Sequence, residues 1–99
     1  MKHMFNECKG LTSLDLSNFD TSNVINMESM FKKCKSLVRL NLTGWDTSRV
    51  TDMSHMFEYC QSLTNLVIKK FSMINIKFNN FMFYKCNKES IPDWYNGII

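Results

Sequence analysis

The apolar residues along this chain keep two rhythms in alternation. In Leu37-Val38-Arg39-Leu40-Asn41-Leu42-Thr43, Leu40 and Leu42 alternate with Arg39, Asn41 and Thr43. That period of two predicts a short strand with one buried face. The spacing then lengthens. Val24, Met27, Met30, Phe31 and Cys34 fall within an arc of about 120° at roughly 100° per residue, which predicts a short helix or helical turn. Lys32, Lys33, Ile25 and Ser29 lie outside that arc. The hydroxyl of Thr21 or Ser22 would cap the helix start by satisfying its orphan amides.

The two rhythms recur together. The cysteines stand at 8, 34, 60 and 86, each gap being 26 residues. The same interval aligns Met4-Phe5, Met30-Phe31, Met56-Phe57 and Met82-Phe83, the leucines 11, 37 and 63, and the leucines 14, 40 and 66. Asp20-Thr21-Ser22 matches Asp46-Thr47-Ser48, and Met1, Met27 and Met53 share a column. Residues 4–29 and 30–55 are identical at 12 of 26 positions. The pattern predicts one domain, residues 1–99, in units 4–29, 30–55 and 56–81 with a degenerate unit 82–99. Residues 1–3 read as the end of a truncated preceding unit.

The core L-x-x-L-x-L has leucine-rich-repeat form, and the period lies within the roughly 20–29 residues of that class. One unit cannot bury its apolar face alone, so stacked units would close the core. The expected fold is therefore an α/β solenoid, a right-handed coil with one short parallel strand and one short helix per unit. A wholly β solenoid is the competing reading. Glu89, Pro92 and Trp94 replace leucines in the last unit, and Pro suits only an edge strand. Trp94 and Tyr95 are expected to cover that end. Phe78 and Phe81 are expected to fill the space left where Asn79 replaces a methionine. At the other end, Leu11, Leu14 and Leu16 have no strand before them. An uncapped first coil, exposed through Met4 and Phe5, predicts self-association there.

Met30, Phe31, Cys34, Ser36, Leu37, Leu40, Leu42, Trp45, Asp46, Thr47, Ser48, Val50, Thr51 and Met53 resemble, in order, the repeat of the BspA-like leucine-rich-repeat surface proteins, including the mycoplasma-lipoprotein type. The likeness covers roughly residues 1–71 well and 72–99 poorly. It implies a surface-exposed interaction or adhesion module without catalytic residues, at the cell surface or secreted. Within residues 1–99 no export signal, lipid-attachment cysteine or wall anchor of that family is read, so the surface location is expected from the resemblance alone.

Composition narrows the function further. Hydrophobic residues make up 44% and charged residues 21%, ordinary for a folded protein and unlike a disordered tail. A net charge of +3 is too mild to argue for nucleic acid. No stretch approaches the ~18 apolar residues of a spanning helix.

The candidate chemistry is thin. No C-x-x-C and no paired histidines suggest zinc. Cysteines following a helix would be separated by the helix–helix distance of about 8–10 Å, beyond disulfide reach. Free, buried thiols are expected instead. His3 and His55 share a column two units apart, too distant for one metal. The methionine column reads as core filler. Asp20 and Asp46 read as turn residues that bond backbone amides two positions on. Asn41-Leu42-Thr43 is a glycosylation sequon, meaningful only in a secreted eukaryotic protein. Lys32, Lys33 and Lys35 form a basic run, read as a solvated face or, more sharply, as a site for an acidic partner or anionic membrane.

The best candidate surface is the outward face of the sheet. By alternation it carries Ser13, Asp15 and Ser17, then Arg39, Asn41 and Thr43, then Asn65, Val67 and Lys69, then Asp93 and Tyr95. The partner-binding residues expected there are Asp15, Arg39, Asn41, Thr43, Asn65, Lys69, Asp93 and Tyr95. The expected function is non-catalytic protein–protein interaction or adhesion, with no cofactor. The alternative is a spacer or truncated array segment without a ligand of its own.

Overall fold

A computed structural model describes residues 2–68 and 71–97. Met1 and Lys69 lie outside the described residues. Three short strands are present: β1, Ser13–Asp15; β2, Arg39–Asn41; and β3, Asn65–Val67. They form one parallel sheet in the order β1-β2-β3. The register sets Ser13 opposite Arg39 and Arg39 opposite Asn65, and likewise Leu14, Leu40 and Leu66. The alternating leucines explain this register. A slip by one residue would turn Leu40, which is 1% exposed, into water and bring Arg39 and Asn41 inside.

No α-helix is present among the described residues, which corrects the expected helix after each strand. The segment from Met27 to Cys34 instead folds as linked tight turns. Ser29 (φ 56°) and Lys33 (φ 63°) take left-handed backbone conformations, as do His3, Glu7, His55, Tyr59, Phe81 and Lys85. A left-handed residue every fourth position cannot continue an α-helix, whose amides all bond four residues back. Here the amides alternate. Those of Met30, Lys32 and Cys34 bond three residues back, to Met27, Ser29 and Phe31. Those of Met27, Ser29, Phe31 and Lys33 cross to the carbonyls of Asp52, Ser54, Met56 and Glu58.

Thr21 and Ser22 accordingly cap no helix. The buried Thr21 hydroxyl accepts from the Asp46 amide at 2.9 Å and donates to the Asp46 carbonyl at 3.2 Å. Thr47 repeats this with Ser72, at 2.7 and 3.1 Å. Ser22 bonds Asp20 instead. Ser29 is buried, not outward.

The leucine-rich-repeat solenoid is corrected as well. The molecule measures 29 × 29 × 21 Å with a radius of gyration of 11.9 Å. That is the size of a globule of this length, for which about 13 Å is typical, and no extended coil is formed.

The core lies between the sheet and the turns. Leu37, Leu40, Leu42, Met27, Met30, Met53, Met56 and Trp45 are fully buried. Through it runs a file of aromatic rings. Phe5 and Phe31 stack with centroids 5.4 Å apart, Phe31 and Phe57 5.7 Å apart, and Phe57 and Phe83 5.1 Å apart. Tyr95 closes one end edge-on to Phe83 at 5.0 Å, with Trp94 beside it. Gly97 makes room for this, since a Cβ there would sit 2.2 Å from the Tyr95 hydroxyl. The region of Glu89 and Pro92 contains a 3-10 turn, Lys88–Ser90, rather than a strand, and the Asn87 side chain accepts the Glu89 amide at its start. Phe78 is 55% exposed and Phe81 stacks on His55 at 5.5 Å, so neither fills the core as expected.

Candidate binding face on the sheet

Parallel pairing gathers one set of outward side chains on the sheet. Ser13, Asp15, Arg39, Asn41, Asn65 and Val67 line a shallow depression of about 230 Å³, with Leu14 and Leu40 also in its wall. Arg39 sits centrally on β2, between Ser13 and Asn65 in the register. It is exposed and forms no ion pair among the described residues. Asp15, Asn41 and Val67 make the adjacent row.

Several polar groups of this row serve the turns beyond the strands. Asp15 accepts the Ser17 amide at 3.0 Å. Its carboxyl is held below the ordinary carboxylate range, first by the Ser17 hydroxyl and then by that amide. Asn41 Oδ1 accepts the Thr43 amide at 3.0 Å and also the Thr43 hydroxyl. In β1 and β2 the side chain one position beyond the inward leucine therefore fixes the turn that follows, as Asx residues do; in β3 that position is Val67.

The expected site residues divide accordingly. Asp15, Arg39, Asn41 and Asn65 come together at the depression. Thr43 is half-buried and tied into the turn after β2. Asp93 lies in an exposed turn outside the sheet, and Tyr95 is buried against Phe83 instead of facing outward. Lys69 is outside the described residues.

The other reactive side chains are engaged elsewhere. Asp20 and Asp46 accept the amides of Ser22 at 3.0 Å and Ser48 at 2.9 Å. His3 lies 3.8 Å from Glu28. His55 bonds Glu58, whose other oxygen is 3.5 Å from Lys32. This cluster around Glu58, a buried carboxylate, was missed in the sequence. Lys32 and Glu58 are 26 residues apart, and that shared column was the available signal. It also divides the basic run, since Lys32 is paired. A second concavity of about 320 Å³ is lined by Asp52, Ser54, His55, Phe78, Asn80 and Phe81. Its Asp52 carboxylate already holds the Ser54 amide and hydroxyl.

No group of three or more histidine, cysteine or acidic side chains suited to a metal occurs among the described residues. No helix there is long and apolar enough to cross a membrane. The four cysteines are free, with Cys34 and Cys60 buried. Burial pushes the Cys34 thiol up to about 11 and that of Cys60 further still.

No curated protein and no solved structure matches the chain. Residues 1–95 do match one family, so the chain belongs to the family described as Mycoplasma protein of unknown function, DUF285.

Proposed function

We propose that the chain is a non-catalytic protein-binding module that uses the outward face of its parallel sheet. One observation carries this reading. Arg39, a side-chain type that often anchors interfaces, stands without an ionic partner among the described residues, at the centre of a depression lined by strands from three parts of the chain. The polar groups usually recruited for catalysis are meanwhile occupied. Asp20 and Asp46 hold turns, and His55 and Lys32 are both engaged with Glu58. The motif likeness to BspA-like surface proteins supports an adhesive role at the cell surface.

Site-specific photocrosslinking in the source cells tests this. A photoreactive residue replacing Asn65 should give a discrete protein adduct, and Arg39→Glu should abolish it. The same group at Lys77, which does not line the depression, should give none. Equal labelling from both positions, or adducts indifferent to Arg39, would leave a spacer without a ligand as the better reading.

A further inference from the structure

Replacing the expected helix by turns changes what the cysteines can do. The Phe5 and Glu7 amides donate to the carbonyls of Met30 and Lys32, each at 2.8 Å. Chain segments bonded in this way run about 4.8 Å apart, and the Phe5 and Phe31 rings three residues before the cysteines stack at 5.4 Å. Cys8 and Cys34 occupy equivalent places, each donating its amide to the carbonyl three residues back at 3.2 Å. The spacing of the two segments lies within the window of about 4.4–6.8 Å between Cα atoms that a disulfide spans. The Cys34 thiol also points toward the segment that carries Cys8, donating to the Phe5 carbonyl at 3.1 Å.

The four thiols are not equally open. Cys34 and Cys60 are buried, whereas Cys8 is half-buried at the end of the file. Cys86 is also half-buried, but its sulfur is engaged with the Ser90 hydroxyl at 3.1 Å and the Cys60 carbonyl at 3.4 Å. We propose that Cys8 and Cys34 are a redox-sensitive pair that closes to an intramolecular disulfide when a hydroperoxide reaches Cys8.

The Cys8 thiolate attacks the distal peroxide oxygen. The O–O bond breaks, Cys8 becomes a sulfenic acid, and the departing hydroxide or alkoxide takes up a proton. The Cys34 sulfur then attacks the Cys8 sulfur, the S–OH bond breaks, and the hydroxide leaves as water with the Cys34 proton. Two thiols lose two electrons, and the peroxide gains them. Cys34 and Cys60 are buried whereas Cys8 is half-buried, so the peroxide meets Cys8 first and Cys34 resolves it. Closure ties residues 2–10 to the turn before β2. It is independent of what the sheet face binds.

The test treats the folded full chain with hydrogen peroxide, blocks remaining thiols under denaturing conditions, and maps peptides without reductant. A Cys8–Cys34 linked peptide should be the main product, unchanged in Cys60→Ser. In Cys34→Ser, a sulfenic acid trappable by dimedone should accumulate at Cys8. If Cys34→Ser fails to fold, the wild-type map alone decides. Linkage of Cys60 to Cys86 first, intermolecular dimers through Cys8, or Cys8 oxidised to sulfinic acid with Cys34 still free would each overturn the proposal.

Discussion

Trp45 Nε1 donates to the Leu16 carbonyl at 2.8 Å, inside the core and across 29 residues. The same carbonyl accepts the Phe19 amide at 3.1 Å, so the indole supplies its second bond. Trp45→Phe keeps most of the apolar bulk and removes that donor. It should cost about 1–3 kcal/mol, the range for an unmet buried polar group. Urea unfolding measures it, and an unchanged midpoint would show that water replaces the indole.

Leu40 is the central residue of the central strand and 1% exposed. Leu40→Ala should cost about 2–5 kcal/mol, a large share of the stability of a small domain. A loss below about 0.5 kcal/mol, typical of surface positions, would contradict its place in the core.

Thr47 serves both backbone groups of Ser72. Thr47→Val matches its shape and strands two backbone partners, whereas Thr47→Ser keeps the hydroxyl. The valine variant should lose about 1–3 kcal/mol and the serine variant less. Equal losses would mean that the methyl, not the hydroxyl, matters at this position.

Asp20 and Asp46 are held below their ordinary value of 3.8, first by the hydroxyls of Ser22 and Ser48 and then by their amides. A depressed carboxyl stabilises the fold fully above that value, and the contribution is lost as pH falls through the lower folded value. Asn at 46 still accepts the Ser48 amide but cannot titrate. The gap between wild type and Asp46→Asn in urea midpoint should therefore narrow in acid. A gap that stays constant across the acid range would count against the carboxylate's role.

The buried thiols act in the opposite direction. The unfolded Cys34 ionises near 9.0 and the folded one at about 11. Its contribution is whole below 9.0 and lost as pH rises through the folded value. Stability should fall on the alkaline side, and less steeply in Cys34→Ala. Without denaturant, iodoacetamide should label Cys8 well before Cys34 or Cys60. Rapid labelling of all three would place the sulfurs outside the core.

Spacing along the chain determined which residues face inward and which segments lie side by side. Leu40, Leu42, Met27, Met30, Phe31 and Cys34 were legible as core because burying apolar surface is the dominant favourable term in folding. Asp20 and Asp46 were legible as turn residues because their bonds are local. At the sheet face, Asp15, Arg39, Asn41 and Asn65 followed from alternation alone. Backbone conformation did not follow. The interval from Val24 to Cys34 fits a helical arc, yet the amides of Met27, Ser29, Phe31 and Lys33 find carbonyls 25 residues on. Those long-range bonds hold Ser29 and Lys33 left-handed, against their local preference. The sequence offered Tyr95 both as the cover of the last unit and as an outward residue of the sheet face, and packing against Phe83 decided for the first. Glu58 meets His55 three residues away and Lys32 one 26-residue interval away; the shared column set Lys32 beside it, and the turn fold brought both side chains onto one buried carboxylate.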